Sequence, residues 1–121
     1  MSYKEFDADE VMREFGDASV ASELAAIVRT DLGTYATTLG AAGAAGNLDE
    51  VRRLAHAIKG AAGNVAAREV CTLASTIENG LRAGQTDAAT LVPQLVAACG
   101  RLGNELGEWL GALSQTEDAA R

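Results

Sequence analysis

The chain of 121 residues is poor in aromatic residues and contains only one proline and one histidine. The scarcity of aromatics and proline limits the possible fold classes, and the single histidine limits the possible functional sites. Aromatic residues make up 4% of the chain although hydrophobic residues make up 48%, so small and aliphatic side chains supply the apolar surface. Such side chains favour closely packed helices. A single proline also argues against an all-β domain, whose many turns use this residue. The composition therefore predicts an all-α domain.

Basic residues are also scarce, with 10 Lys and Arg against 17 Asp and Glu, which gives a formal net charge of −7. Nucleic acid is therefore not an expected partner, because phosphate backbones require a basic surface. No apolar run reaches the ~18 residues of a membrane span, and no signal peptide is recognisable. Cys71 and Cys99 lie far apart without metal-ligand spacing, so we expect two buried, reduced thiols. These features predict a soluble, cytoplasmic protein that does not bind a membrane.

The hydrophobic period predicts five helices, at about 7–15, 19–42, 47–65, 67–83 and from about 90 onward, with a polar, frayed tail at 115–121. Capping pairs start the first helix at Asp7 and the third at Asn47, and Gly16 and Gly84 provide stop signals. The apolar stripe of the second helix contains Leu24, Ile27, Val28, Tyr35 and Leu39, and the segment 43–46 closes this helix as a loop.

Four amphipathic helices of this length, joined by short loops, predict an antiparallel four-helix bundle, and the short additional N-terminal helix acts as a lid. We expect one domain over 1–121, with its core over about 18–113. Gly100, Gly103, Gly107 and Gly111 recur along one flank of the last helix. Close packing within the bundle is the simpler interpretation of this spacing, and the seat of a homodimer partner is the alternative. We expect Trp109 to contact the core or the lid.

The single histidine, His56, lies on the side of its helix that faces away from the core. At about 100° per residue the apolar positions gather on one face. His56, Lys59, Gly60 and Gly63 gather on the opposite face, with Arg52 and Arg53 one turn earlier. An imidazole is thus presented to solvent with a cation nearby and a patch without side chains beside it. This arrangement suits a histidine that another macromolecule must reach.

An exposed, neutral imidazole is a fair nucleophile. A phosphoryl group on it would be flanked by Lys59 and Arg52, and phosphoryl transfer depends mostly on positioning and charge neutralisation. Gly60 and Gly63 each destabilise the helix by about 1 kcal/mol relative to alanine. Their presence on an exposed face is explained if a partner protein must approach the ring closely. The alternative is an ordinary polar surface histidine, which the adjacent Lys-Gly pair disfavours.

The run from His56 to Val65, His-Ala-Ile-Lys-Gly-Ala-Ala-Gly-Asn-Val, resembles the signature of histidine-containing phosphotransfer (HPt) domains of two-component phosphorelays. That signature reads His-x-Leu/Ile-Lys-Gly-Ser/Ala-Ala/Ser, followed by a small or polar residue and an aliphatic one. The resemblance extends over about 18–113 in helix count and in the position of the histidine. The sequence departs from the family at Ala66, where a glycine often separates the third helix from the fourth.

The resemblance implies that His56 is the phosphoacceptor at Nε2, that Lys59 stabilises the phosphoryl group and that Gly60 gives the partner clearance. The family often places a glutamine or glutamate on the next helix within reach of the other ring nitrogen, and Glu78 is the best match. Arg82, one turn later, would add positive charge. The residues expected to face the partner are Arg52, Arg53, Gly63 and Asn64.

The function that follows is that of a phosphorelay intermediate, which accepts a phosphoryl group from a receiver-domain aspartate and passes it to another receiver. The expected partners are response-regulator receiver domains and a hybrid histidine kinase. Such a chain is a carrier rather than an enzyme. It needs no cofactor of its own, because Mg²⁺ is expected on the receiver. The chain has no room for an ATP-binding region, so we expect no kinase activity.

The sequence leaves two alternatives to phosphoryl transfer. The first is an interaction module that docks a receiver or kinase without carrying phosphate. The second, a histidine-ligated metal or haem site, is disfavoured because there is one histidine and neither cysteine is placed to join it. The oligomeric state is left open by the sequence.

Overall fold

A computed structural model describes the backbone of residues 2–120 and the side chains of residues 2–115. It contains five α-helices and one short 3₁₀ helix, and no strand occurs in the described backbone. The helices are α1 (Ala8–Phe15), α2 (Ala18–Ala44), α3 (Leu48–Gly63), α4 (Arg68–Arg82) and α5 (Val92–Ala120), with the 3₁₀ helix at Thr86–Leu91. The all-α prediction is confirmed. α5 extends to Ala120, so the described backbone is helical through most of the segment 115–121 that was expected to be a frayed tail.

The helices α2 to α5 pack side by side around a common core. α2 packs against α3 and α5, α3 packs against α4, and α4 closes the ring against α5. The contacts between α2 and α5 show that these two helices are antiparallel. Arg29 near the middle of α2 reaches Gly103, whereas Gly43 near the end of α2 lies against Val92 at the start of α5. The helical bundle therefore places the outer surface of α3 and α4 across the molecule from that of α2 and α5.

The helix ends follow the capping signals. The Asp7 side chain accepts a hydrogen bond from the backbone N–H of Glu10 at 3.0 Å, and the Asn47 side chain accepts one from Glu50 at 3.3 Å. Gly16 ends α1 in the left-handed region with φ 68°. The segment 43–46 is not wholly a loop, because α2 continues to Ala44. Gly43 is a helical residue at a close helix approach, where an added Cβ would lie 3.0 Å from Val92 Cγ1.

The core face of α2 differs from the predicted stripe. Ile27 is 59% exposed, so its assignment to the apolar stripe was wrong. Ala21 and Ala25 are fully buried instead, in line with Val28 and Leu32. Small alanine side chains let α2 lie close to its neighbours, and this rotates the buried face away from Ile27.

The segment before α1 covers one side of α5. Phe6 is buried, with its ring centroid 5.3 Å from that of Trp109 and 4.9 Å from that of Tyr3. The Glu105 carboxylate accepts the backbone N–H of Glu5 at 2.9 Å, which fixes the segment to α5. Trp109 belongs to the buried core, as expected, and it also contacts the segment before α1. The aromatic cluster and the carboxylate together hold the first residues on the bundle.

Close packing explains only one of the four regularly spaced glycines of α5. A Cβ on Gly107 would lie 3.1 Å from the guanidinium of Arg29, whose Nε donates to the Gly103 carbonyl at 3.1 Å. At Gly100, Gly103 and Gly111 a Cβ would meet no described atom within 4 Å. The packing interpretation was therefore wrong for these three positions.

Both cysteines are free thiols, but they differ in burial. Cys99 is buried among apolar side chains, and this burial raises the pKa of its thiol to about 11. Cys71 is only partly buried, with Sγ 3.6 Å from the Lys59 carbonyl oxygen, so the prediction of two buried thiols holds fully only for Cys99. Burial also raises the pKa of the Cys71 thiol.

The connection between α4 and α5 contains the 3₁₀ helix, and α5 begins two residues later than expected. Pro93 is the second residue of α5, where its missing N–H leaves no intrahelical hydrogen bond unmade. Gly84 follows α4 with φ 80°, as the stop signal predicted. The 3₁₀ helix packs against α4 at Gly80, which is buried and where a Cβ would lie 2.6 Å from Ala88 Cβ.

Replacing Gly80 with alanine should destabilise the protein. The added methyl group requires the 3₁₀ helix to move, at a cost of about 1–3 kcal/mol, which outweighs the ~1 kcal/mol that alanine gains in helix propensity. Urea unfolding measures the difference. Gly33→Ala is the matched control, because Gly33 is helical and no described atom lies within 4 Å of its Cβ position. Gly33→Ala should leave stability equal or higher. Equal stabilities of the two variants would contradict the packing at Ala88.

Candidate functional site

α3 presents His56 on the outer surface of the bundle. The His56 side chain is 62% exposed, whereas Ala55 and Ile58 on the opposite face of α3 are fully buried. The register of α3 is fixed at its start by the Asn47 cap and along its length by the buried apolar positions. The predicted orientation of the histidine is thus confirmed.

α4 carries a buried carboxylate to the base of the imidazole. Glu78 is 1% exposed, and its Oε2 lies 2.5 Å from His56 Nδ1. The adjacent residue, Ile77, is fully buried in the core, which fixes the rotation of α4 at this level. A carboxylate only accepts hydrogen bonds, so Nδ1 carries the hydrogen and donates it to Glu78. The lone pair of the neutral ring then resides on Nε2, the other nitrogen of this largely exposed side chain.

Two cationic side chains, Lys59 and Arg82, also contact the carboxylate of Glu78. Lys59 Nζ donates to Oε1 of Glu78 at 3.0 Å, and Arg82 Nη2 donates to Oε2 at 3.5 Å. Burial raises the pKa of Glu78, but hydrogen bonds from Lys59 and His56 lower it by more, so the net shift is downward. Glu78 is therefore ionised at neutral pH. His56, Lys59 and Arg82 surround one buried negative charge.

The glycines beside His56 have no packing role. At Gly60 and at Gly63 an added Cβ would meet no described atom within 4 Å. Both residues and Asn64 are exposed on the outer face of α3. No side chain therefore projects from these two positions beside the imidazole, and a macromolecule can approach the ring closely.

The two arginines that precede His56 have different surroundings. Arg53 pairs with Glu50 through two hydrogen bonds, one of them from Nε to Oε2 at 2.9 Å. Hydrogen bonding from Arg53 lowers the pKa of Glu50. Arg52 is half-buried and forms no ion pair within the described residues. The structure thus groups Lys59 and Arg82 with the imidazole through Glu78, whereas Arg53 is bound to its own helix.

The break between α3 and α4 lies at an unusual residue. Ala66 has φ 53°, in the left-handed region, at the position where the resembled family often has glycine. Such a backbone costs an L-residue roughly 1–2 kcal/mol. α3 ends at Gly63, two residues before the predicted end, and the Ala67 N–H donates to the Ala62 carbonyl at 3.1 Å. This turn reverses the chain so that α4 brings Glu78 back beneath His56.

Among the residues that the structure describes there is neither a cluster of metal ligands nor a helix that could span a membrane. Over the part of the chain that the structure describes, no three His, Cys, Asp or Glu side chains come together as a set of metal ligands. Within that same part no helix combines the length and the apolar content that crossing a bilayer requires.

Comparison with known proteins gives the family. The model of the Hpt domain matches residues 23–116, which is most of the chain, and the chain therefore belongs to the Hpt domain family. Searches of the curated proteins and of the solved structures found no match. Hpt domains are helical bundles that carry phosphoryl groups on histidine in two-component phosphorelays, where they interact with receiver domains and histidine kinases.

Because the pKa of Glu78 is lowered in the folded protein, we expect the contribution of Glu78 to the free energy of unfolding to depend on pH. A carboxyl whose pKa is lower in the folded state stabilises the fold above its ordinary pKa, about 4.3, and loses this effect as the pH falls through the folded value. At pH 7 the wild type should be more stable than Glu78→Gln by about 1–2 kcal/mol. Urea unfolding should show this difference shrinking from about pH 5 to pH 3. A difference that stays constant over this range would contradict an ionised Glu78.

Proposed function

We propose that the chain is a phosphoryl carrier of a phosphorelay, with Nε2 of His56 as the phosphoacceptor. The observation that carries this proposal is the contact between buried Glu78 and Nδ1, which leaves the free lone pair on Nε2 of a largely exposed ring. A histidine that serves only as a polar surface residue needs no buried, ionised carboxylate beneath it, since burying that charge costs free energy.

The proposed transfer is a simple displacement. The Nε2 lone pair of His56 attacks phosphorus on a receiver aspartyl phosphate, an N–P bond forms, and the P–O bond breaks with its electron pair going to the aspartate. Transfer to the next receiver is the reverse reaction. Lys59 and Arg82 donate to the carboxylate that contacts the ring, and their positive charge suits a reaction that depends on charge neutralisation. The receiver supplies Mg²⁺ and most other groups, so the chain acts as carrier and not as enzyme.

The surface around His56 supports a receiver domain or a hybrid histidine kinase as the partner. Gly60 and Gly63 leave the ring accessible, and Asn64 and Arg52 border the same surface. Receiver active sites are acidic, and a local group of Arg52, Lys59 and Arg82 complements them on a chain of net charge −7. We place this activity in the cytoplasm, with no cofactor bound to the chain itself.

A second candidate function is docking of a receiver or kinase without transfer of phosphate. The open surface at Gly60 and Gly63 favours it as much as it favours transfer. The buried contact between Glu78 and His56 does not, because a docking surface needs no oriented ring nitrogen. Phosphoryl transfer is therefore the better supported function.

Chemical phosphorylation tests the proposed acceptor without any partner. Phosphoramidate should add a single phosphate to the wild type, visible by intact mass, and the adduct should be lost in acid and kept in base. His56→Gln should gain none. This variant is a matched control because the side chain is exposed and its replacement leaves the core intact. An equal adduct on both proteins, or none on the wild type, would contradict the assignment of His56.

A further inference from the structure

We propose that Glu78 keeps the hydrogen on Nδ1 after Nε2 is phosphorylated, so that His56 carries its phosphoryl group as a cationic phosphoimidazolium. This inference rests on the proposed function and extends it from the resting site to the loaded carrier. It makes Glu78 a positioning residue that sets how readily the phosphoryl group leaves the ring.

The chemistry of a carboxylate is the first argument. When phosphorus occupies Nε2, Nδ1 is either an N–H donor on a positively charged ring or a bare acceptor on a neutral ring. Glu78 is ionised and can only accept, and its Oε2 lies 2.5 Å from Nδ1. A bare Nδ1 would place two acceptors against each other at that distance. Glu78 therefore favours the N–H form.

The exchange of charge and electrons is the second argument. Attack by Nε2 of the neutral ring gives an N–P bond and a positively charged ring, with the hydrogen still on Nδ1. On the outward transfer a receiver carboxylate oxygen bonds to phosphorus, the N–P bond breaks, and its electron pair returns to Nε2. The leaving group is then a neutral imidazole, and no proton moves in either direction. Without the Nδ1 hydrogen the leaving group would be an imidazolate anion, which is a far poorer one.

The other charges around the ring do not replace Glu78. α3 supplies Arg52, Lys59 and Arg53, of which Arg53 is paired with Glu50, and all three are cations that oppose a positively charged ring. α4 supplies Glu78 and Arg82. α2, which also packs on α3, supplies Tyr35, whose electrostatic contact is with Arg53. Glu78 is thus the one negative group that contacts Nδ1 among the described residues.

Glutamine is the informative replacement at this position. It has the shape of glutamate, but its amide both donates and accepts, so it can satisfy Nδ1 in either protonation state. Glu78→Gln should therefore keep the ring in place and remove the bias toward the N–H form. A purely structural role for Glu78 would leave the protonation of the phosphorylated ring unchanged in this variant.

The test follows the protonation of phosphohistidine directly. The wild type and Glu78→Gln are labelled with ¹⁵N-histidine and phosphorylated with phosphoramidate, and the Nδ1 shift is recorded from about pH 6 to pH 10. An opposite charge in contact shifts a titration by about 1–3 units. We expect the wild-type midpoint to lie at least about 1 pH unit above that of Glu78→Gln. At about pH 9 transfer to a receiver should then be roughly 10-fold faster from the wild type.

The outcomes separate this inference from the proposed function. Equal midpoints, or a lower one in the wild type, would overturn the inference while leaving His56 as a phosphoacceptor. Failure of the wild type to take up phosphate would overturn the proposed function instead. If Glu78→Gln cannot be phosphorylated, the same titration of Nδ1 is carried out on phosphorylated Lys59→Gln. Removal of that cation should leave the midpoint unchanged or raise it, and a lower midpoint would contradict control by the carboxylate.

Discussion

Replacing His56 with alanine is expected to abolish phosphoryl transfer from a phosphorylated receiver domain and to leave binding of that receiver within several-fold of wild type. The ring supplies the nucleophilic Nε2, so its loss removes the acceptor completely. The docking surface at Gly60, Gly63 and Asn64 is unchanged by the substitution. Transfer is followed by loss of labelled phosphate from the receiver, and affinity by titration calorimetry.

This pair of readouts separates the two candidate functions. A carrier loses transfer and keeps binding when His56 is replaced. A docking module shows binding but no phosphate on the chain even in the wild type. Phosphate on the His56→Ala protein at the wild-type rate would contradict both the proposed acceptor and the geometry that supports it.

Replacing Lys59 with alanine is expected to slow phosphoryl transfer by about 100-fold, because removal of one group that stabilises transition-state charge typically costs 10²–10³ in rate. Lys59 Nζ donates a hydrogen bond to Oε1 of Glu78, and the other oxygen of this carboxylate contacts His56 Nδ1. A phosphoryl group on Nε2 would offer the ammonium a second negative partner. Rates are measured by rapid quench with a phosphorylated receiver.

Lys4→Ala is the matched control, because Lys4 is the other lysine of the chain and lies in the N-terminal segment beside α5. The control should transfer at the wild-type rate. If both lysine variants were slowed equally, the loss would reflect overall charge. If Lys59→Ala were as fast as wild type, the lysine would have no part in transfer.

Much of the site follows from periodicity along a single helix. The exposure of His56 and the positions of Lys59, Gly60 and Gly63 are set by 3.6 residues per turn and by the buried face of α3. The resemblance to a known signature added Glu78, and the structure places that residue against Nδ1. The hydrogen bond from Lys59 to Glu78 depends on how α3 and α4 are aligned, and the periodicity of one helix does not contain this information. Arg82 reaches Glu78 within α4, at a spacing of four residues.

The errors in the fold have the same origin. Ile27 is apolar and lies near the expected stripe, but contacts from other helices decide that Ala21 and Ala25 face the core. Gly43 looked like a loop residue, yet it is needed within α2 because Val92 lies so close. Ala66 adopts a left-handed backbone that its residue type disfavours, so propensity placed the end of α3 two residues late.

Following one phosphoryl group through two receivers tests the central claim most directly. A receiver carrying labelled phosphate is mixed with the chain and with a second receiver that the first does not phosphorylate by itself. The account predicts that label appears on the chain, then on the second receiver, and that His56→Gln blocks the second step. Label that reaches the second receiver equally with His56→Gln, or that never appears on the chain, would contradict it.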